Sequence, residues 1–219
     1  MTIDKLIRGN KAFRKDYVAG AKEFLERLAS QGQSPGALFV GCSDSRVVPE
    51  LLTNSSPGEL FVVRNVANIV PPADEVRSLG DDSVGAAIEY ALAALKVEHI
   101  VVCGHYGCGG VRALVEAHVP KDCPNLSEWL MHAAPACARA AKEGLEGVAA
   151  LNRAIEENVE EQMANLATYP SVRAKLDEGT LQLHGWIYDL HAGHLVIWDP
   201  QSETFRHMDN ILDSGVAPA

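Results

Sequence analysis

The segment Cys42-Ser43-Asp44-Ser45-Arg46 and the later His105-Tyr106-Gly107-Cys108 put two thiols and an imidazole into one chain. Thiolate and neutral imidazole suit zinc by softness and geometry. Three protein ligands leave a fourth position for water or substrate, as a catalytic site requires and a structural site does not. A structural site would need a fourth ligand, for which Asp44 is the candidate beside Cys42. Arg46 can hold Asp44 away from a metal through a charge-assisted pair, leaving the carboxylate to accept a hydrogen bond from the attacking oxygen. Residue types alone leave other readings open. A cysteine at a strand end is also an ordinary small buried hydrophobe, and an Asp-x-Arg pair is also an ordinary surface ion pair on a turn.

These residues must be positioned by the elements around them. The apolar run 37–40, bounded by Pro35-Gly36 and Gly41, reads as a buried strand ending at Cys42. Further strands are expected at 59–63 and 99–103, and each of the three is followed by a helical stretch, at 47–52, 84–95 and 110–117. Strand alternating with helix predicts crossover units and a parallel sheet. Ligand sites in open α/β sheets lie at the carboxyl ends of the strands, where Cys42 and His105 both fall. Gly104, Gly107, Gly109 and Gly110 would let the chain wrap tightly around an ion. Helix is also expected at 4–29 with a break near Asp16, at 126–139 and at 151–167, and 181–190 with 194–198 reads as a hairpin or edge strands. The fold class is therefore α/β: one domain with a mostly parallel central sheet flanked by helices, an N-terminal helical arm and a C-terminal edge hairpin.

Composition narrows the function classes. The 219 residues are 47% hydrophobic and 22% charged, as in an ordinary globular protein. A formal net charge of -10 without a basic run disfavours nucleic acid and anionic membranes as partners. The first ten residues carry charge from Asp4 onwards and no apolar core, so no secretory leader is expected. Five irregularly spaced cysteines suggest a reducing compartment with some thiols assigned to metal, and the expected location is the cytoplasm. Cys103 reads as a buried strand residue. Cys123, beside Pro124, and Cys137 have no assigned chemistry.

Three motifs together resemble the β-class carbonic anhydrases: Cys-Ser-Asp-Ser-Arg at 42–46, Gly-Glu-Leu-Phe-Val-Val-Arg-Asn-Val-Ala-Asn at 58–68, and Gly-His-x-x-Cys-Gly-Gly at 104–110. The likeness runs from about Gln33 to near Trp198 and is to the plant-like branch, through Gln33-Ser-Pro, Ile69-Val-Pro-Pro72 and 85–90. It implies reversible hydration of carbon dioxide to bicarbonate, one Zn2+ per subunit on Cys42, His105 and Cys108, and catalysis by Asp44 and Arg46. It also implies a substrate pocket of Phe61, Val66, Tyr90 and Gly109, with Gln33 as a donor supplied across a dimer interface. The division that follows is a helical arm, 1–34, packing on a partner subunit, and a zinc-binding domain, 35–219. Homodimers or higher homo-oligomers are thus expected. From the residues alone, Phe61 and Val66 serve equally well as core.

Two departures from the family matter. Some bacterial members carry a regulatory bicarbonate site of Trp, Arg and Tyr, and the corresponding positions here are Phe39, Arg64 and Tyr188. Phe39 lacks the indole N–H, which disfavours that regulation. Plant-like members carry a histidine proton shuttle four residues after the pocket tyrosine, where this chain has Ala94. His99 and other histidines are present, but the sequence assigns none of them. Arg64 and Asn65, just after the second strand, read as holders of site backbone or of a dimer interface. Alternatives are a hydrolase of carbonyl sulfide or carbon disulfide on the same fold, and a non-catalytic zinc or bicarbonate-binding module.

Overall fold

The computed structural model describes residues 2–73 and 83–213, and the chain divides into two compact units, Met1–Ser34 and Pro35–Ala219. In the first unit, α1 (Ile3–Phe13) runs on through a wider turn, Arg14–Val18, before α2 (Lys22–Gln31). The break expected near Asp16 therefore falls after Val18. Neither helix buries a residue within the chain, and Ile3, Leu6 and Ile7 form an exposed apolar stripe on α1.

The second unit is built on a six-stranded sheet in the order β2-β1-β3-β4-β5-β6. Its strands are β1 (Ala37–Cys42), β2 (Leu60–Asn65), β3 (His99–His105), β4 (Gln182–Tyr188), β5 (Leu195–Asp199) and β6 (Thr204–His207). The first four run parallel to one another, and the β4–β5 and β5–β6 pairs are antiparallel. In the central strand β1, Leu38, Phe39 and Val40 are all fully buried. That is why its sequence is a continuous apolar run and not an alternating one. One face carries Leu38, Val40, Ile100, Val102 and Ile187 against the main core, and the other carries Phe39, Val101 and Cys103 beneath Trp186 and Tyr188.

The C-terminal hairpin differs from the expectation of an edge. β4 and β5 do pair antiparallel, but β4 lies inside the sheet against β3, and the edge on this side is β6, which the sequence did not announce. The helices are α3 (Pro49–Leu52), α4 (Ser83–Tyr90), α5 (Gly109–Val115), α6 (Pro124–Leu130), α7 (Ala134–Ala141), α8 (Gly147–Leu166), α9 (Pro170–Asp177) and α10 (Met208–Asp213). The single helix expected at 126–139 is two, because Pro135 opens a new helix after the tight turn Met131–Ala133.

Helix α8 does more than cover the sheet. Asn158, Gln162 and Asn165 share one face by their spacing, and all three are buried. Asn158 Nδ2 donates to Ala67 O at 3.0 Å, Gln162 Oε1 accepts from Val70 N at 2.8 Å, and Asn165 Nδ2 donates to Val70 O at 2.9 Å. This amide ladder fixes the segment after β2. That segment needs holding, because Ala67 and Asn68 adopt the left-handed region at φ 64° and 48°.

Candidate active site

Parallel pairing of β1 with β3 sets their carboxyl ends side by side, with Gly41 opposite Cys103. Cys42 ends β1, His105 ends β3, and Cys108 precedes the first turn of α5. Their ligand atoms lie within 4.8 Å of one another, and all three residues are buried. The Sγ atoms of Cys42 and Cys108 are 3.9 Å apart. Two sulfurs held tetrahedrally at the usual zinc distance would be about 3.8 Å apart. His105 Nδ1 is 3.1 Å from Tyr106 O, which can only accept, so the proton sits on Nδ1. His105 Nε2 is left buried with no hydrogen-bond partner. A buried nitrogen lone pair facing two sulfurs fits a zinc ion, and among the described residues no other group of three such side chains does.

The electrostatics agree with that fit. The Cys42 thiol is lowered, first by its hydrogen bond with Cys108, while Cys108 is pushed well above the usual thiol range by the same bond and by burial. Two buried sulfurs share one proton because two bare anions there would repel. A divalent cation in place of that proton lets both ionise. Burial, helped by the charge of Cys42, drives Cys103 up to about 12, and burial drives Cys137 up to about 11, which leaves both as inert thiols.

Asp44 is held in a fork. Arg46 Nε donates to Oδ1 at 2.9 Å and Nη2 to Oδ2 at 2.7 Å, and the Arg46 backbone N–H adds a bond of 3.0 Å. The Arg46 side chain, before any other influence, keeps Asp44 well below the usual carboxylate range. Its Oδ2 lies 3.8 Å from His105 Nε2, beside the cluster yet turned to the arginine. Arg64 fixes the backbone of this turn, donating to Cys42 O at 3.1 Å and to Asp44 O at 2.7 Å. Asn65 cyclises the next turn through its own bonds to Ile69 N and O. The holding of site backbone expected of both residues is what they do. Phe39 stacks edge-on to Trp186 at 6.3 Å in the cluster that contains Tyr188.

Of the residues expected in the pocket, Phe61 and Tyr90 meet, with ring centroids 5.7 Å apart. Val66 follows Asn65, which pairs with Cys42, and its Cγ1 is 3.1 Å from where a Cβ on Gly110 would sit. Gly109 opens α5 beside it. Gln33 lies exposed in the N-terminal unit, past the end of α2. In the glycine-rich loop only Gly107 requires its freedom at positive φ, whereas Gly104 and Gly110 are demanded by close packing against Val159 and Ala67. Sequence reasoning missed the Tyr106 carbonyl, the α8 amide ladder and Trp129, whose Nε1 donates to Val66 O at 2.8 Å. The ladder had a signal, three amides on one face of a helix that is otherwise apolar there. Trp129 had none.

Comparison with known proteins agrees with this geometry. The family profile described as "Carbonic anhydrase" matches residues 37–195. A carbonic anhydrase of Pseudomonas aeruginosa is 42% identical over 201 residues, 91% of this chain and 89% of that protein. One from Synechococcus elongatus is 41% identical over 88% of this chain and 70% of that protein. Among solved structures, the β-carbonic anhydrase CcaA superposes with a TM-score of 0.88 at 38% identity, covering 94% of this chain and 91% of that one. A β-carbonic anhydrase of Sordaria macrospora superposes with a TM-score of 0.78 at 32% identity, covering 89% and 95%. The cluster of two thiols and an unpartnered imidazole, set on this sheet, thus occurs in a chain that belongs to the β-class carbonic anhydrase family.

Proposed function

We infer that the protein is a zinc enzyme that hydrates carbon dioxide reversibly to bicarbonate and a proton. The observation that carries this reading is the buried, unpartnered His105 Nε2 facing the Cys42 and Cys108 sulfurs, with a carboxylate held 3.8 Å away. Cys42, His105 and Cys108 would hold one Zn2+, whose Lewis acidity makes water a nucleophile near neutral pH. Asp44 accepts a hydrogen bond from the attacking oxygen and so aims a lone pair at carbon. Arg46 keeps Asp44 ionised and turned away from the metal. Phe61, Tyr90 and Val66 offer apolar walls to a small linear substrate without a dipole, Gly109 borders them, and Gln33 acts as a donor that orients it.

Gln33 would come from a second copy, with the helical arm of residues 1–34 packed on that partner. The exposed apolar stripe of α1 supports a homodimer or larger assembly, and the Sordaria macrospora relatives are described as tetrameric. No helix among the described residues is long and apolar enough to cross a membrane, and a cytoplasmic location fits the unpaired cysteines. Stopped-flow hydration on zinc-quantified protein, beside turnover of carbonyl sulfide, tests the activity. Fast carbon dioxide hydration is expected, with bicarbonate slowing it only as a competing product, because Phe39 supplies no indole donor. Carbonyl sulfide as the preferred substrate, or zinc binding without turnover, would refute the reading.

A further inference from the structure

We propose that Trp129 is a positioning residue that sets the apolar wall of the substrate pocket by fixing the peptide of Val66. The proposal rests on the hydration reading above and adds a specific determinant to it.

Val66 stands between the two chain segments that carry the candidate ligands. It follows Asn65, the register partner of Cys42, and it packs against Gly110, two residues past Cys108. It is 38% exposed, so its side chain borders whatever occupies the space beside the ligands. The turn it opens cannot hold itself, since the next two residues, Ala67 and Asn68, have positive φ. Asn158 of α8 holds the Ala67 carbonyl from the buried side. One residue earlier the Trp129 indole donates to the Val66 carbonyl at 2.8 Å. Trp129 is itself braced edge-on against His132, with centroids 5.9 Å apart, and the adjoining Leu130 is fully buried against the Gly110 position. The end of α6 therefore touches both partners of this contact: Leu130 packs at Gly110 and Trp129 bonds to the Val66 carbonyl. Loss of the indole N–H releases the Val66 peptide, the wall shifts, and a substrate with no charge to anchor it is captured less well.

Trp129→Phe keeps the ring stacking and removes only the donor. The expected result is kcat/KM for carbon dioxide lower by about threefold or more, with kcat, its pH midpoint and zinc content unchanged. Trp129→His, which retains a ring N–H, should recover part of the loss. In a Val66→Ala background, where the wall is already gone, Trp129→Phe should have little further effect. Independently of turnover, the Trp129 indole proton should exchange slowly with solvent. Unchanged kcat/KM in Trp129→Phe, additive losses in the double variant, or a parallel fall in zinc content would each overturn the role of Trp129 while leaving the hydration reading intact. A wild-type protein that does not hydrate carbon dioxide would overturn both.

Discussion

Arg46 holds both carboxylate oxygens of Asp44, so removal of its guanidinium frees a carboxylate 3.8 Å from the ligand nitrogen of His105. An untethered carboxylate beside a zinc site is a competing fourth ligand. Arg46→Ala should therefore lower hydration by about 100-fold or more while zinc stays bound, and Asp44→Asn should do the same by replacing a charged acceptor with an amide. Stopped-flow rates with parallel metal analysis check this, and near-normal turnover in either variant would contradict the assigned roles. At this scale the sequence was highly legible. Residue types nominated the three cluster members and the Asp44–Arg46 pair, and the resemblance carried by the three combined motifs chose their roles over an ordinary buried cysteine or surface ion pair. Trp129 and the Tyr106 carbonyl were not legible. The first acts across 63 positions of sequence, and the second acts through a backbone atom that every residue has.

Helix α8 and strand β4 contribute polar groups whose burial can be tested. Gln162 is fully buried and accepts the Val70 N–H. Gln162→Leu leaves that N–H without a partner and should destabilise the fold by about 1–3 kcal/mol, read from urea unfolding. In β4, His184 meets His99 at 3.1 Å, and burial, followed by the charge of His99, lowers it to about 4. The unfolded histidine takes up its proton near 6.5, so between about 6.5 and 4 the unfolded chain binds more protons than the folded one. The resulting penalty is absent above that window and grows as pH falls through it. His184→Gln should flatten the acid loss of stability between pH 6.5 and 4, and an unchanged profile in urea midpoints would count against it. Strands β1 to β3 were legible as apolar runs bounded by glycine, proline or charge. The edge strand β6 was not, since Thr204-Phe205-Arg206-His207 is short and half-exposed and carries no run to detect. The wide turns Arg14–Val18 and Ala91–Leu95 were also hidden, because their residues are ordinary helix formers.

In the molecule as a whole, the first unit ends at Ser34 and buries none of its helical residues on its own. An amphipathic helix that leaves Ile3, Leu6 and Ile7 between 52% and 69% exposed gains stability only by covering that stripe. Light scattering of the full chain should give at least two copies per particle, and Leu6→Lys with Ile7→Lys should weaken both assembly and turnover, since Gln33 would no longer reach a partner's pocket. A fully active monomer would contradict the proposal that Gln33 completes a partner's pocket.

The proposed hydration requires that two sulfurs and one nitrogen hold a metal and leave one position open. Zinc-edge X-ray absorption on metal-quantified protein tests it most directly. One zinc per chain is expected, with two sulfurs at ~2.3 Å, one imidazole nitrogen at ~2.0 Å and one light, exchangeable fourth ligand that anions displace. A shell of three or four sulfurs, or purified protein that holds no zinc after reconstitution, would contradict it.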